Sequence, residues 1–271
     1  MKKIPTGLSQ LDAELGGGLF RQSLVTILGH SNSGKSLLCT SFGCSALRNN
    51  LKVLHIKLEE SDNVLLRYTS NLTEIDYWKI LDNQLTPEEK NKTASMDTYQ
   101  ENLIIKDMLN WGATVEEVIA YCRKIYVDFK FDMVIVDYGQ LLHTKKHPHS
   151  VNNYIERNAD VYRGLDFIAK EFDCVVISPI QAFGRGIQKQ KEDKSTVLKS
   201  EYFDHYLDIA QISKYIFTLN RTKNEELSGS YRLFLEKAQR GQVALTYGIK
   251  AQYGNSNLLV NDYYQPTSLG E

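Results

Sequence analysis

A chain of 271 residues, 42 % hydrophobic and 24 % charged, is too apolar for general disorder and long enough for one large α/β domain or two small ones. Lys plus Arg total 32 and Asp plus Glu 33, so the net charge of −1 excludes a polybasic coat and leaves only local basic surfaces for any nucleic acid. No stretch approaches the roughly eighteen apolar residues of a membrane span, and the start MKKIPTGLSQ lacks the apolar run of a signal peptide. Cys39, Cys44, Cys122 and Cys174 form no CxxC pair. The expectation is a cytoplasmic protein with buried, reduced thiols, Cys39 and Cys44 packing a helix on a sheet.

In chain order, apolar runs predict strands at 24–28 (LVTIL), 53–58 (VLHIKL), 133–137 (MVIVD), 174–178 (CVVIS), 215–219 (YIFTL) and 231–235 (YRLFL). The first four are nearly continuous in apolar residues, as strands covered on both faces are. Helical period predicts helices over 34–48, 61–70, 114–129 and 152–172, with Thr114 and Glu117 reading as a capping box. Strand alternating with helix implies a single α/β domain over 1–271 built on a mainly parallel sheet. The later segments show no clear helix between them and predict an antiparallel extension. Segments 82–100 (polar, partly helical), 143–153 and 184–200 read as loops.

The residues Gly29, His30, Ser31, Asn32, Ser33, Gly34, Lys35 and Ser36 fit GxxxxGK[ST], after a strand and before a helix. Its glycines let backbone N–H groups wrap phosphate oxygens, and the helix N-terminus adds its positive dipole end. Lys35 places a charge on the β- and γ-phosphates and the Ser36 hydroxyl suits Mg²⁺, so the expected ligands are ATP and Mg²⁺. Such a loop needs a carboxylate on a neighbouring strand to hold the metal through water, and Asp137 ends the run 133–137. Hydrolysis needs a group that activates water. Glu59 and Glu60 both follow the run 53–58, and successive residues point opposite ways, so one of the two faces the site.

Arg221 and Tyr253 are candidates to sandwich adenine, against the plainer reading of surface packing. His143, His147 and His149 have metal-like spacing, but Lys145 and Lys146 in the same loop oppose a cation. The run 184–200 holds Arg185, Lys189, Lys191, Lys194 and Lys199 against Glu192 and Asp193, a local +3 that composition alone reads as solvated charge.

Together these residues resemble the RecA-like ATPase core of DnaB-type replicative helicases. The stretch 4–36 is similar to that core's opening and P-loop. The stretch 55–61 (HIKLEES) is similar to the segment carrying the catalytic glutamate, matching Glu59 and not Glu60. The block 132–142 (DMVIVDYGQLL) resembles Walker B. The block 174–185 (CVVISPIQAFGR) resembles the strand whose final glutamine, here Gln181, senses the γ-phosphate before a DNA-binding loop. The block 233–241 (LFLEKAQRG) resembles the strand bearing an arginine finger, matched by Arg240, that reaches a neighbouring subunit's nucleotide. The resemblance implies Mg-ATP hydrolysis by Lys35, Glu59, Gln181 and Arg240 at the interfaces of a homo-oligomer, a hexameric ring. It also implies single-stranded DNA held by Arg185, Lys189, Lys191 and Lys194, and contacts with other replication proteins.

The chain departs from the family in three places. Three residues precede the core, so the expectation is that the N-terminal domain and linker helix are absent. Gln211-Ile-Ser-Lys214 replaces an acidic block. Lys237 and Arg240 are three apart where the family has Lys-x-Arg, which sets them on opposite faces of a strand unless a bulge intervenes. A RecA/RadA-type recombination or repair ATPase is the alternative reading. A non-catalytic nucleotide-binding accessory is a third, opposed by the set Lys35, Glu59, Asp137 and Gln181.

Overall fold

The computed structural model describes residues 2–59, 63–109, 112–147, 154–181, 197–199, 207–252 and 257–264, without the side chains of 207, 252 and 257–264. The strands are β1 (Ser23–Gly29), β2 (Val53–Lys57), β3 (Leu103–Asp107), β4 (Met133–Asp137), β5 (Val175–Gln181), β6 (Tyr215–Asn220), β7 (Ser230–Lys237), β8 (Leu245–Gln252) and β9 (Asn257–Tyr264). They form one sheet in the order β3-β2-β4-β5-β1-β6-β7-β8-β9. β3 through β6 in that order pair in parallel, and β7, β8 and β9 add antiparallel strands, as expected.

Strand alternation divides the core into two layers. Val25 and Ile27 of β1 and Met133 and Ile135 of β4 point into one, with Leu38, Phe42 and Cys44 of helix α2 (Lys35–Arg48). Leu24, Leu28, Val134 and Val136 point into the other, with Val118 and Cys122 of Val115–Tyr126 and Leu165 and Ile168 of Tyr154–Glu171. A strand that feeds two cores has no polar face, which is why these runs read as continuous. Thr114 and Glu117 do form the predicted capping box. Cys39 and Cys44 are fully buried in the first layer, and burial pushes both thiols up.

Four features differ from the expected elements. β3, β8 and β9 lie outside the predicted strands, and short helices occupy Tyr77–Leu81, Pro87–Ala94 and Asp97–Gln100. A helix, Lys223–Ser228, does stand between β6 and β7; its Thr222–Glu225 capping box starts it, and none of its residues is buried. β7 ends at Lys237 beside a register shift, so Arg240 lies past the strand and the two-face argument does not apply to it.

His55 on β2 ties the sheet to helix α3 (Val64–Thr73), its Nδ1 3.1 Å from the Tyr68 hydroxyl. Burial pushes the imidazole down to about 3, and the Arg67 charge adds to this. The folded state therefore refuses a proton that the unfolded chain accepts near 6.5. His55 stability is fully present above that value and is lost as pH falls from 6.5 toward 3. By pH 4.5 wild type should lose about 2–3 kcal/mol relative to a His55→Gln variant. Denaturant melts of both proteins from pH 7 to 4.5 check this; parallel curves would refute it.

Candidate active site

The carboxyl ends of five parallel strands converge on one cavity of about 860 Å³, a volume suited to a nucleotide. It is lined by Ser31–Ser36 after β1, Glu59 after β2, Asp137 of β4, Gln181 of β5 and Arg221 after β6. Parallel strands expose their carboxyl ends together, so residues far apart in sequence meet there.

The P-loop turns tightly on its two glycines. A Cβ on Gly29 would stand 2.4 Å from Ser33 Oγ, and Gly34, at φ +87°, would press a Cβ on the Tyr231 ring at 3.2 Å. α2 starts at Lys35, so its free N–H groups and dipole face the cavity. Lys35 Nζ donates to the His30 carbonyl at 2.6 Å. Burial pushes the Lys35 ammonium down, against the pull of Asp137 and Glu59. Gly29 and His30 hold this loop but do not themselves line the cavity.

Asp137 is 8 % exposed, and burial raises its carboxyl to about 6 despite a hydrogen bond from Ser36 and the charges of Arg67 and Lys35. Its Oδ1 and the buried Ser33 Oγ find no hydrogen-bond partner among the described residues. A buried carboxylate oxygen beside a serine hydroxyl fits a hydrated Mg²⁺, and an unpaired P-loop hydroxyl fits a phosphate. Glu59 lies two residues past Lys57, which pairs with Asp137, so the two carboxylates neighbour each other. The Tyr138 hydroxyl hydrogen-bonds Glu59; burial first, then that carboxylate, raises the phenol to about 12.

Arg221 packs on the P-loop itself. Its guanidinium donates to the Asn32 carbonyl, to Tyr231 Oη at 3.1 Å and to Glu226 at 2.9 Å, and lies 5.3 Å over the Tyr231 ring. Its aromatic neighbour here is Tyr231; Tyr253 lies outside the described residues. So do Glu60, His149, Arg185, Lys189, Lys191 and Lys194. His147 Nε2 is 3.6 Å from Asp160 and 3.9 Å from Glu156, and Lys146 pairs with Asp160. No group of metal-ligating side chains occurs among the described residues, and no described helix is long and apolar enough to cross a membrane.

Lys237 and Arg240 do not line the cavity. Lys237 Nζ donates to the Ala210 carbonyl at 2.7 Å, neutralising the end of helix Leu207–Ile212. Arg240 is exposed, 5.7 Å over the Phe20 ring.

The sequence reading missed Arg67, Tyr138, Tyr231, Tyr77, Trp78 and Leu81, all of which line the cavity. Arg67 carried a faint signal, three residues after buried Val64 on a helix that follows the Glu59 strand. Tyr231 carried none, because it reaches the P-loop from an antiparallel strand.

Known proteins agree with this geometry. The family model for the DnaB-like helicase C-terminal domain matches residues 3–244. The replicative DNA helicase DnaC of Bacillus subtilis is 25 % identical over 198 residues, 72 % of this chain and 42 % of that protein. The chain thus spans less than half the length of this curated relative. A solved structure of an isolated ATPase domain superposes with a TM-score of 0.80 at 22 % identity, covering 96 % of this chain and 92 % of that one. A second, of a DnaB-like replicative helicase and its interactions with primase, gives 0.79 at 21 %, covering 96 % and 62 %. A family match over nearly the whole chain, on a fold shared with these structures, settles membership: the chain belongs to the DnaB-like helicase C-terminal domain family.

Proposed function

We propose that this chain is an ATP-driven motor domain that hydrolyses Mg-ATP to move along single-stranded DNA. The observation that carries the reading is the meeting of Lys35, Ser36, Glu59, Asp137 and Gln181 around one cavity in a chain of this family. Lys35 and the α2 N-terminus bind the β- and γ-phosphates. Ser36 and Asp137 would hold Mg²⁺, which supplies charge neutralisation on the phosphate oxygens. Glu59 takes a proton from the attacking water, Gln181 meets the γ-phosphate, and Arg221 with Tyr253 contacts adenine. Arg240 completes the site of a neighbouring subunit in a homo-oligomer, a hexameric ring. A primase is a candidate partner, supported by the relative whose structure is described with one. A cytoplasmic setting suits four free, buried cysteines.

Turnover of ATP with and without single strands, and strand displacement from a forked duplex, test the reading. DNA-stimulated turnover with displacement is expected. Filaments on single strands without displacement would favour the recombination-type alternative, and no turnover in either condition would refute both.

The DNA surface is assigned to the 184–200 run. Changing Lys189, Lys191 and Lys194 together to Gln should weaken single-strand binding and flatten its log–log salt slope by about 2, at about 0.7 per lost phosphate contact. Titrations at several salt concentrations measure this. An unchanged slope moves the surface elsewhere, with Lys145 and Lys146 the next candidates.

A further inference from the structure

The geometry points to Gln140 as the residue that positions Gln181, an inference resting on the γ-phosphate role proposed for Gln181. β4 and β5 pair only as far as Ile135 and Ile177, then diverge. β5 runs four residues further to Gln181, flanked on one side by β1, where Gly29 pairs with Gln181. On the other side two side chains replace the missing strand. Ser178 Oγ donates to the Val136 carbonyl and accepts from the Gly139 N–H, both at 3.0 Å. Gln140, in the turn Gly139–Leu141, then takes both backbone groups of Gln181. Its Oε1 accepts from the Gln181 N–H at 2.7 Å, and its Nε2 donates to the Gln181 carbonyl at 3.4 Å.

A carboxamide presents an acceptor and a donor side by side, as a peptide unit does, so it can stand in for one rung of a ladder. Gln140 is itself held: Nε2 also donates to Tyr154 Oη at 3.2 Å, and its carbonyl accepts from Arg157 at 3.5 Å. Tyr154 and Arg157 belong to the first turn of helix α8 (Tyr154–Glu171). With only 8 % of Gln140 exposed, little water competes for these bonds. Gln140 therefore fixes the backbone from which the Gln181 side chain reaches the cavity, and couples that backbone to the start of α8. It touches neither nucleotide nor metal ligand; it acts through Gln181.

Gln140→Met keeps the volume and removes both bonds. Its DNA-stimulated kcat should fall roughly 10- to 100-fold while KM for ATP stays within about twofold, since misplacing one reacting-end group spares phosphate binding. Gln140→Glu keeps the acceptor for the Gln181 N–H and loses the donor, and should fall between wild type and Gln140→Met. The decisive comparison is Gln181→Ala with and without Gln140→Met. If Gln140 works through Gln181, the second change adds little to the first, because the group being positioned is already gone. Multiplicative losses, or a Gln140→Met enzyme equal to wild type, would overturn the inference. If Gln140→Met does not fold, the same comparison is made with Gln140→Glu. Wild-type turnover that ignores DNA would instead refute the motor reading, so the two failures remain separable.

Discussion

Glu59→Gln is expected to bind ATP with near wild-type affinity and to turn it over about 10²-fold more slowly, or worse, because the substitution removes only the proton acceptor. Shape is kept, and the Tyr138 hydroxyl can still donate to the amide oxygen that replaces the carboxylate. The phosphate-binding groups Lys35 and Ser36 lie on a different element, α2, and are untouched. Asp137 is the only other carboxylate lining the cavity on the Gln181 side of the P-loop, and it makes a poor base. It already accepts from Ser36, and its remaining oxygen is the one suited to a metal. Removing the Glu59 charge also lowers the electrostatic burden on Asp137, so Mg²⁺-dependent binding should not weaken. Phosphate release together with binding of a fluorescent ATP analogue measures both halves. Normal turnover in Glu59→Gln with a dead Glu60→Gln would transfer the base to Glu60.

Much of the sheet was legible because burial on two faces writes an unmistakable pattern. β4 matches its predicted run at both ends, and β1, β2 and β6 match within a residue. β3 was not legible: it is an edge strand, half-exposed along its length, and LIIKD is too short to show a period. Tyr77–Leu81, Pro87–Ala94 and Asp97–Gln100 bury no residue, so no apolar stripe could reveal them. Local chemistry was the better guide there. Thr86, Pro87 and Glu89 make a capping box that marks one of these helices, as Thr222 and Glu225 mark Lys223–Ser228.

The site divides on the same principle. Phosphate binding demands fixed spacing within one loop, so Gly29–Ser36 was readable, and a metal-holding carboxylate must end a strand, so Asp137 was too. Arg67, Tyr138 and Tyr231 are recruited by packing from three different elements, and no spacing rule relates them to the P-loop. Gln140 adjoins Asp137 in sequence, yet its role depends on where β4 and β5 part, which only the register reveals. The choice of Glu59 over Glu60 came from resemblance, and the structure places Glu59 on the cavity wall.

Arg240→Ala is expected to cost on the order of 10³-fold in ATP turnover, the scale of a guanidinium that stabilises charge on a transferring phosphoryl group. The fold explains why that group must serve another subunit. β7 runs antiparallel to β6, so it ends beside the start of the parallel strands, with Lys237 opposite Ile216. The following turn touches the first residue of β1, where Ser23 Oγ and Gln239 Oε1 are 3.4 Å apart. The P-loop opens from the last residue of β1. At about 3.3 Å per residue, the seven residues of β1 hold the two ends roughly 20 Å apart. An arginine side chain does not span that gap, so an Arg240 that acts on nucleotide acts on a neighbour's. Each chain then carries half of two sites, and dilute protein should be a poor ATPase. Activity per molecule should climb with concentration, or on adding single strands that gather subunits. Mixing isolates the point. Lys35→Ala and Arg240→Ala should each be nearly inactive alone. Mixed at equal amounts in a ring of head-to-tail interfaces, about a quarter of interfaces unite an intact P-loop with an intact finger. Recovered turnover on mixing is the expected result. No recovery, with full specific activity from a demonstrated monomer, would refute the shared site and remove the reason for a ring.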